Sequence, residues 1–78
     1  MKIDKYIIDS LERYSKHGIE TGGFLRAVLE NDLMLAIGKA DSYNRANLHA
    51  ICIYIYNELP HSIWGSKEKV EHHLEKHR

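Results

Sequence analysis

Two histidines near the end of the chain have the spacing of metal ligands. His73 and His77 are four residues apart, so a helix would place both imidazoles on one face. A structural zinc site takes four protein ligands and a catalytic site takes three. Of the other four histidines, His17, His49 and His61 have no helical spacing that joins them to this pair. We therefore expect no metal or cofactor, and histidine-based metal binding stays open only as an alternative function.

The single cysteine is the next candidate for chemistry. Cys52 lies inside an apolar run, three residues after His49. A catalytic cysteine and histidine need an exposed thiolate in a cleft, whereas these apolar neighbours predict a buried thiol. We therefore predict that the protein is not an enzyme. One cysteine forms no disulfide within the chain, which suits a reducing cytosol.

The double glycine in the stretch TGGFLRAVLENDL, residues 21–33, could bind a phosphate or another anion. A phosphate loop needs a later glycine followed by Lys and Ser or Thr, and this stretch has neither. Two interpretations remain for Thr21, Gly22 and Gly23. Their free backbone N–H groups bind an anion or partner, or the glycines let a neighbouring backbone pack closely against a helix start that Thr21 caps.

Three further residues complete the set of candidate partner- or anion-binding positions. Asn31 and Asp32 interrupt the apolar pattern and predict a turn followed by a new helix start. Trp64 is the only tryptophan and falls in a predicted loop. Such a side chain either fills the core or anchors a partner, and the sequence leaves both uses open.

The elements that position these residues are all predicted to be helices. The first is an amphipathic helix that carries Ile3, Ile7, Leu11 and Tyr14 on one face and ends at Gly18. A second follows Thr21, and a short third is expected to turn Leu33, Ile37 and Ala40 to one side. The segment from Asn44 to Leu59 reads as a central helix ended by Pro60, because no second strand-like run exists to pair with it. A last helix, capped by Ser66, has few apolar residues and is expected to be loosely held.

Length and charge limit the remaining possibilities. Seventy-eight residues predict one helical domain, residues 1–78, of four to five helices around the central apolar one. A chain this short has a small core, which makes a homodimer worth testing. Eleven basic and eleven acidic residues balance, and no basic patch favours nucleic acid. A small nucleic-acid-binding regulator is therefore kept only as an alternative. No apolar span or signal peptide is recognisable, so a cytoplasmic protein without a membrane partner is expected.

The order of motifs resembles a family of short proteins encoded by phages and prophages. The resemblance rests on the glycine-rich stretch at 21–33, and then on Asn44, on NELP at 57–60 and on WGS at 64–66. It continues through Ala36, Ala40, Asp41, Leu48, Ile51, Tyr54 or Tyr56, Val70 and Leu74. It covers about residues 3 to 75, and it departs from the pattern at His73, near a position where tryptophan is frequent. The resemblance implies expression in the cytoplasm of a bacterial host.

Together these features predict a small accessory protein of phage or prophage type that acts by binding a host or phage protein. Inhibition of a bacterial defence system, such as a CRISPR nuclease complex, is one concrete form of that hypothesis.

Overall fold

The computed structural model describes residues 3–78 and confirms an all-α domain. In this part of the chain the helices are α1 (Lys5–His17), α2 (Gly23–Leu29), α3 (Leu33–Lys39), α4 (Ser42–Ala46), α5 (Leu48–Glu58) and α6 (Lys67–Lys76), with one turn of 3-10 helix at His61–Ile63. None of these helices is long and apolar enough to cross a membrane.

Local sequence signals set most of the helix ends. Gly18 ends α1 in the left-handed conformation, at a φ of 62°. The carboxylate of Asp32 accepts a hydrogen bond from the backbone N–H of Leu35, and Ser66 caps α6 in the same way. The expected cap at Thr21 is wrong: Gly22 occupies the N-cap position, and the Thr21 hydroxyl donates to the Gly22 carbonyl oxygen instead.

The predicted turn at Asn31 and Asp32 is confirmed. Asn31 has a φ of 62°, a left-handed conformation that asparagine tolerates better than most residues. Its N–H donates to the carbonyl oxygen of Val28, and the N–H of Asp32 donates to that of Ala27. These hydrogen bonds end α2, and α3 begins directly after the turn. The two helices therefore pack closely against each other.

The core draws apolar side chains from every helix except α4. Its buried members are Ile7, Leu11, Tyr14, Phe24, Leu25, Ala27, Leu29, Ala36, Ala40, Ile51, Ile55, Leu59, Ile63, Val70 and Leu74. Four of the seven residues of α2 are among them. The short glycine-led helix is therefore a main support of the domain.

Helix α3 is rotated relative to the orientation expected from its sequence. Leu33 and Ile37 were expected to face inward with Ala40, but within α3 the buried residue is Ala36. A small side chain there allows close packing on α2, and burial of Ala36 turns the larger apolar residues outward. Leu33 therefore stands 58% exposed.

The predicted central helix is divided at Asn47 into α4 and α5. Asn47 lies outside helical geometry, with φ −108° and ψ 11°, and its side-chain amide donates to the carbonyl oxygen of Tyr43. The end before Pro60 is confirmed, since Leu59 is extended. Helix α5 buries Ile51 and Ile55 but leaves its opposite side exposed.

The last helix is held more firmly than its sequence suggests. Val70, His73 and Leu74 are all buried, so the prediction of a loosely held helix is wrong. A histidine was counted as a surface residue, but His73 is only 5% exposed and adds a third member to the buried face of α6.

Candidate functional site

A groove runs between the end of α2 and the exposed side of α5. One part, with a volume of about 170 Å³, is lined by Val28, Asn31, Cys52, Ile55, Tyr56 and Trp64. A smaller part of about 50 Å³ shares Val28, Asn31 and Cys52 and extends to Asp32, Leu33, Ala36 and Leu48. Because the two parts share three residues, we treat them as one surface, called the α2–α5 groove.

The helical spacing of α5 builds one wall of this groove. Ile55 is buried at 3% exposure and belongs to the core, so it forms part of the floor. Cys52 and Tyr56 are four residues apart on the same helix face, and both are exposed. Tyr56 exposes 61% of its surface, so an apolar ring stands in solvent directly beside the core.

Trp64 lines the other end of the groove and is held by the loop before α6. Its indole N–H donates to the carbonyl oxygen of Leu59 at 3.2 Å. The next residue, Gly65, donates its N–H to the carbonyl oxygen of Leu29 at 2.7 Å and has a φ of 113°, which favours glycine. Trp64 therefore packs against the core and also lines a groove, while its use as an anchor for a partner stays a prediction.

Three aromatic rings meet at this end of the groove. The ring centres of Tyr56 and His61 are 5.1 Å apart, those of Tyr56 and Trp64 5.8 Å, and those of His61 and Trp64 4.8 Å. The His61 ring also contacts the backbone carbonyl oxygen of Tyr56 through Nε2, at 3.3 Å. Mutual packing of the three rings restricts the rotation of these side chains.

Cys52 is exposed in the groove, so the expectation of a buried thiol is wrong. The apolar run around it does not surround it in space, because the side of α5 that carries Cys52 faces the groove. Partial desolvation by the neighbouring groups raises the pKa of its thiol. A raised pKa lowers the thiolate fraction at neutral pH and makes this cysteine a poor nucleophile.

The candidate residues from the sequence fall into two places. Asn31, Asp32 and Trp64 line the α2–α5 groove. The glycines lie elsewhere, at the start of α2, where Gly23 lines a separate cavity of about 300 Å³ between α2, α3 and α6.

Close backbone packing does not explain the two glycines. A Cβ atom on Gly22 would meet nothing within 4 Å. One on Gly23 would lie 3.2 Å from Cδ of Lys39, which belongs to a flexible side chain rather than a backbone. The structure therefore supplies no neighbouring backbone for either glycine, and the role of Thr21, Gly22 and Gly23 in binding stays a prediction.

The cavity beside Gly23 contains a charge cluster centred on Arg26. Its guanidinium donates to Glu30 at 2.9 Å, to Glu71 of α6 at 2.8 Å, and to Glu20 before α2. The hydrogen bonds that its guanidinium donates to Glu30 and Glu20 raise the pKa of Arg26 further above its usual value. These carboxylates occupy the guanidinium, so the cluster fastens α6 to α2 and Arg26 itself offers little free positive charge to an anion.

The histidine pair at the end of α6 makes hydrogen bonds within the protein. His73 donates through Nε2 to the carbonyl oxygen of Tyr14 at 2.7 Å, and Nδ1 of His77 lies 3.0 Å from the carbonyl oxygen of His73. Within residues 3–78, no three or more His, Cys, Asp or Glu side chains are grouped so that they could hold a metal ion.

Sequence reasoning missed four residues of the larger part of the groove: Val28, Cys52, Ile55 and Tyr56. All four were read as core or were left out. Helical spacing alone does not say which side of an apolar helix a neighbour leaves open. How the other elements pack around α5 decides that, and this packing exists only in the folded chain.

The fold and groove define a small all-α domain with an apolar, aromatic-lined surface cleft. A comparison of the chain with protein-family models, curated proteins and solved structures found no match.

Proposed function

We propose that this chain is an accessory protein of phage or prophage type that binds a bacterial or viral protein through the α2–α5 groove. The sequence resemblance supports the origin, and the groove supports the mode of action. The proposed place of action is the cytoplasm of the bacterial host, and inhibition of a defence complex is one form that the activity takes.

The size of the groove favours a protein segment over a small ligand. Small-molecule sites usually enclose about 300–1,000 Å³. The two parts of this groove hold about 170 and 50 Å³, space for one or two apolar side chains. Along α5 the groove extends from Leu48 to Tyr56, about 12 Å at the helical rise per residue. That length matches two turns of a partner helix, which we take as the occupant.

The distribution of polarity in the groove also suits a helix with an apolar face. Val28, Ile55 and Trp64 supply apolar surface, while Asn31 and Asp32 bring polar atoms beside it. Protein interfaces usually combine apolar surface with polar groups, and aromatic residues supply much of the binding energy there. The observation that carries the proposal is the 61% exposure of Tyr56 beside the buried floor residue Ile55.

The proposal is non-enzymatic. The one thiol in the groove has a raised pKa through desolvation, which suppresses the thiolate that nucleophilic catalysis needs.

Two matched tyrosines provide the test. Tyr56 is in the groove and Tyr6 is on α1, and they are 61% and 72% exposed. Tagged wild-type protein, Tyr56→Arg and Tyr6→Arg would be used to capture proteins from a bacterial lysate, before and after phage infection. We expect a stoichiometric partner with wild type and with Tyr6→Arg, and its loss with Tyr56→Arg.

A partner retained by Tyr56→Arg would place the interface elsewhere and remove the groove from the proposal. No stoichiometric partner in either lysate would contradict the proposed function. Alkylation of Cys52 with a bulky maleimide gives an independent check. The attached group fills part of the groove, so the alkylated protein should no longer bind the same partner. The Cys52→Ser protein treated identically should keep it.

A further inference from the structure

The α2–α5 groove has a charge of one sign. Of the residues that line its two parts, Asp32 is the only charged one, and its side chain is exposed. No lysine or arginine is among these lining residues. The groove therefore presents apolar surface together with a single negative charge.

The carboxylate of Asp32 is only partly used within residues 3–78. Its Oδ1 accepts the hydrogen bond from the backbone N–H of Leu35, at 3.2 Å. In this part of the chain, no Lys, Arg or His side chain lies within ion-pair distance of it. An ionised carboxylate has two oxygens that each accept hydrogen bonds, so Asp32 can still bind a cation from outside the domain.

A partner that covers the groove removes water from this carboxylate. Loss of hydration destabilises a charge that has no counter-ion. A wholly apolar partner surface would leave that cost uncompensated, and an acidic one would add repulsion. A lysine or arginine supplies the opposite charge and the hydrogen-bond donors as well.

The geometry of α5 sets the distance between this charge and the larger part of the groove. Cys52 lines both parts, Leu48 lines only the smaller part that contains Asp32, and Tyr56 lines only the larger part. Each step of four residues along α5 is about 6 Å. The carboxylate and the larger apolar part are therefore about one or two helical turns apart.

We infer that the helix bound in the α2–α5 groove is basic as well as amphipathic. One apolar side chain fills the larger part, beside Tyr56 and Trp64, and a lysine or arginine one or two turns away pairs with Asp32. This inference rests on the proposed function, because it names the chemistry of the segment that the groove binds.

A pair of capping aspartates provides matched variants. Asp32→Asn removes the charge and keeps the start of α3, because asparagine caps helices about as well as aspartate. Asp41→Asn is the control, since Asp41 caps α4 in the same way, through the N–H of Asn44 at 2.8 Å, and does not line the groove. Circular dichroism should show that both variants fold like wild type.

A displayed library of helical peptides of about 15 residues, about four turns, serves as the probe. The library is selected separately on wild type, Asp32→Asn, Asp41→Asn and Tyr56→Gln, the last of which removes a ring from the groove without adding a charge. Peptides enriched on wild type but not on Tyr56→Gln are those that occupy the groove. We expect them to share an apolar residue with lysine or arginine one or two turns away. The same preference should appear on Asp41→Asn and disappear on Asp32→Asn.

Affinities of one selected peptide test the charge pair itself. Fluorescence anisotropy compares this peptide with a version that has glutamine in place of the basic residue, on wild type and on Asp32→Asn. The basic peptide should bind Asp32→Asn at least about threefold more weakly, while the glutamine peptide should bind both proteins alike. The advantage of the basic peptide on wild type should shrink as salt rises from about 0.05 M to about 0.5 M.

The outcomes separate this inference from the proposed function. Peptides that depend on Tyr56 but have no basic preference, or equal losses for both peptides on Asp32→Asn, would overturn the inference and leave groove binding in place. An equal loss on Asp41→Asn would also overturn it, because the effect would then come from helix capping. The absence of any peptide that depends on Tyr56 would overturn both the inference and the groove as a binding site.

Discussion

The imidazole of His73 packs edge-on against the phenol ring of Tyr14, with 4.7 Å between ring centres, and its Nε2 donates to the Tyr14 carbonyl oxygen at 2.7 Å. This contact joins α6 to α1 across 59 residues of sequence. The Tyr14 hydroxyl in turn donates to the carbonyl oxygen of Ile63, at 2.6 Å. The two buried side chains therefore connect the first helix, the last helix and the loop between α5 and α6.

Substitution of His73 should reduce the free energy of unfolding according to how much of the ring is kept. His73→Phe keeps an aromatic ring at this position but loses the hydrogen bond to the Tyr14 carbonyl oxygen, and should lower the free energy of unfolding by about 1 kcal/mol. His73→Ala also leaves a cavity and should cost about 2–4 kcal/mol. Urea unfolding followed by circular dichroism measures both. The exposed neighbour His72 is the control, and a His72→Ala effect as large as that of His73→Ala would contradict the buried contact.

Alkaline pH should destabilise the fold through Tyr14. Burial raises the pKa of Tyr14 from 10.0 to about 12, an effect that the charge of Arg26 partly opposes. The folded protein thus prefers the neutral phenol. Its contribution to stability is complete below pH 10 and is lost as the pH rises through about 12. This rise in the pKa of Tyr14 corresponds to about 3 kcal/mol in the free energy of unfolding.

Unfolding free energies measured across this pH range should fall for wild type and fall much less for Tyr14→Phe. Some dependence should remain, because burial also raises the pKa of Tyr54. If the unfolding free energies of the two proteins fell equally with pH, Tyr14 would be excluded as the cause of the alkaline destabilisation.

Two glycines should respond in opposite directions to alanine. Gly18 has a φ of 62° and its added Cβ would collide with the side chain of His77, so Gly18→Ala should lower stability by at least about 1–2 kcal/mol. Gly38 is helical with open space around it, so Gly38→Ala should raise stability by up to about 1 kcal/mol. Thermal unfolding compares them. A destabilising Gly38→Ala would mean that the glycine has a role within the fold.

Cys52 should react with thiol reagents in the folded protein, but slowly. Its exposure allows contact with the reagent, while desolvation raises its pKa and lowers the thiolate fraction. We expect a rate near neutral pH several-fold below that of the urea-unfolded chain, with the difference shrinking as pH rises. A disulfide reagent that releases a coloured thiol measures this rate. Complete protection at all pH values would instead show that the groove is closed.

The Arg26 cluster should contribute more to stability than an exposed ion pair of the same type. Arg26 is 24% exposed and binds three carboxylates from separate parts of the chain, so Arg26→Gln should cost about 1–2 kcal/mol. Lys16 pairs with Glu12 in solvent, and Lys16→Gln should cost at most about 0.5 kcal/mol. Urea unfolding of both variants provides the comparison, and equal costs would contradict a special role for the cluster.

Features that depend on a few neighbouring residues were predictable. The all-α class followed from helical spacing, and Gly18, Asn31, Asp32, Ser66 and Pro60 marked helix ends because caps and turns act within one turn of backbone. Asn47 was one exception, since it divides the segment expected to form one central helix. Thr21 was another. Gly22 took the cap position that the side chain of Thr21 was expected to fill.

Which face of each apolar helix is buried was beyond the reach of the sequence. Spacing placed Cys52 with Ile55, and Leu33 with Ile37, but it did not show which side a neighbouring helix would cover. His73 illustrates the converse, since a polar residue entered the core once the Tyr14 carbonyl oxygen was there to accept its hydrogen bond.

The sequence by itself determined most of the helix ends, because capping and helical periodicity are local. Only the tertiary structure decided that Ala36 rather than Leu33 packs on α2, and that Cys52 and Tyr56 line an open groove instead of the core. The physical reason is that burial depends on the shapes of several elements packed at once. The TGGFLRAVLENDL stretch shows both parts, since its turn at Asn31 is local while the groove that Val28 and Asn31 line exists only when α5 lies beside them.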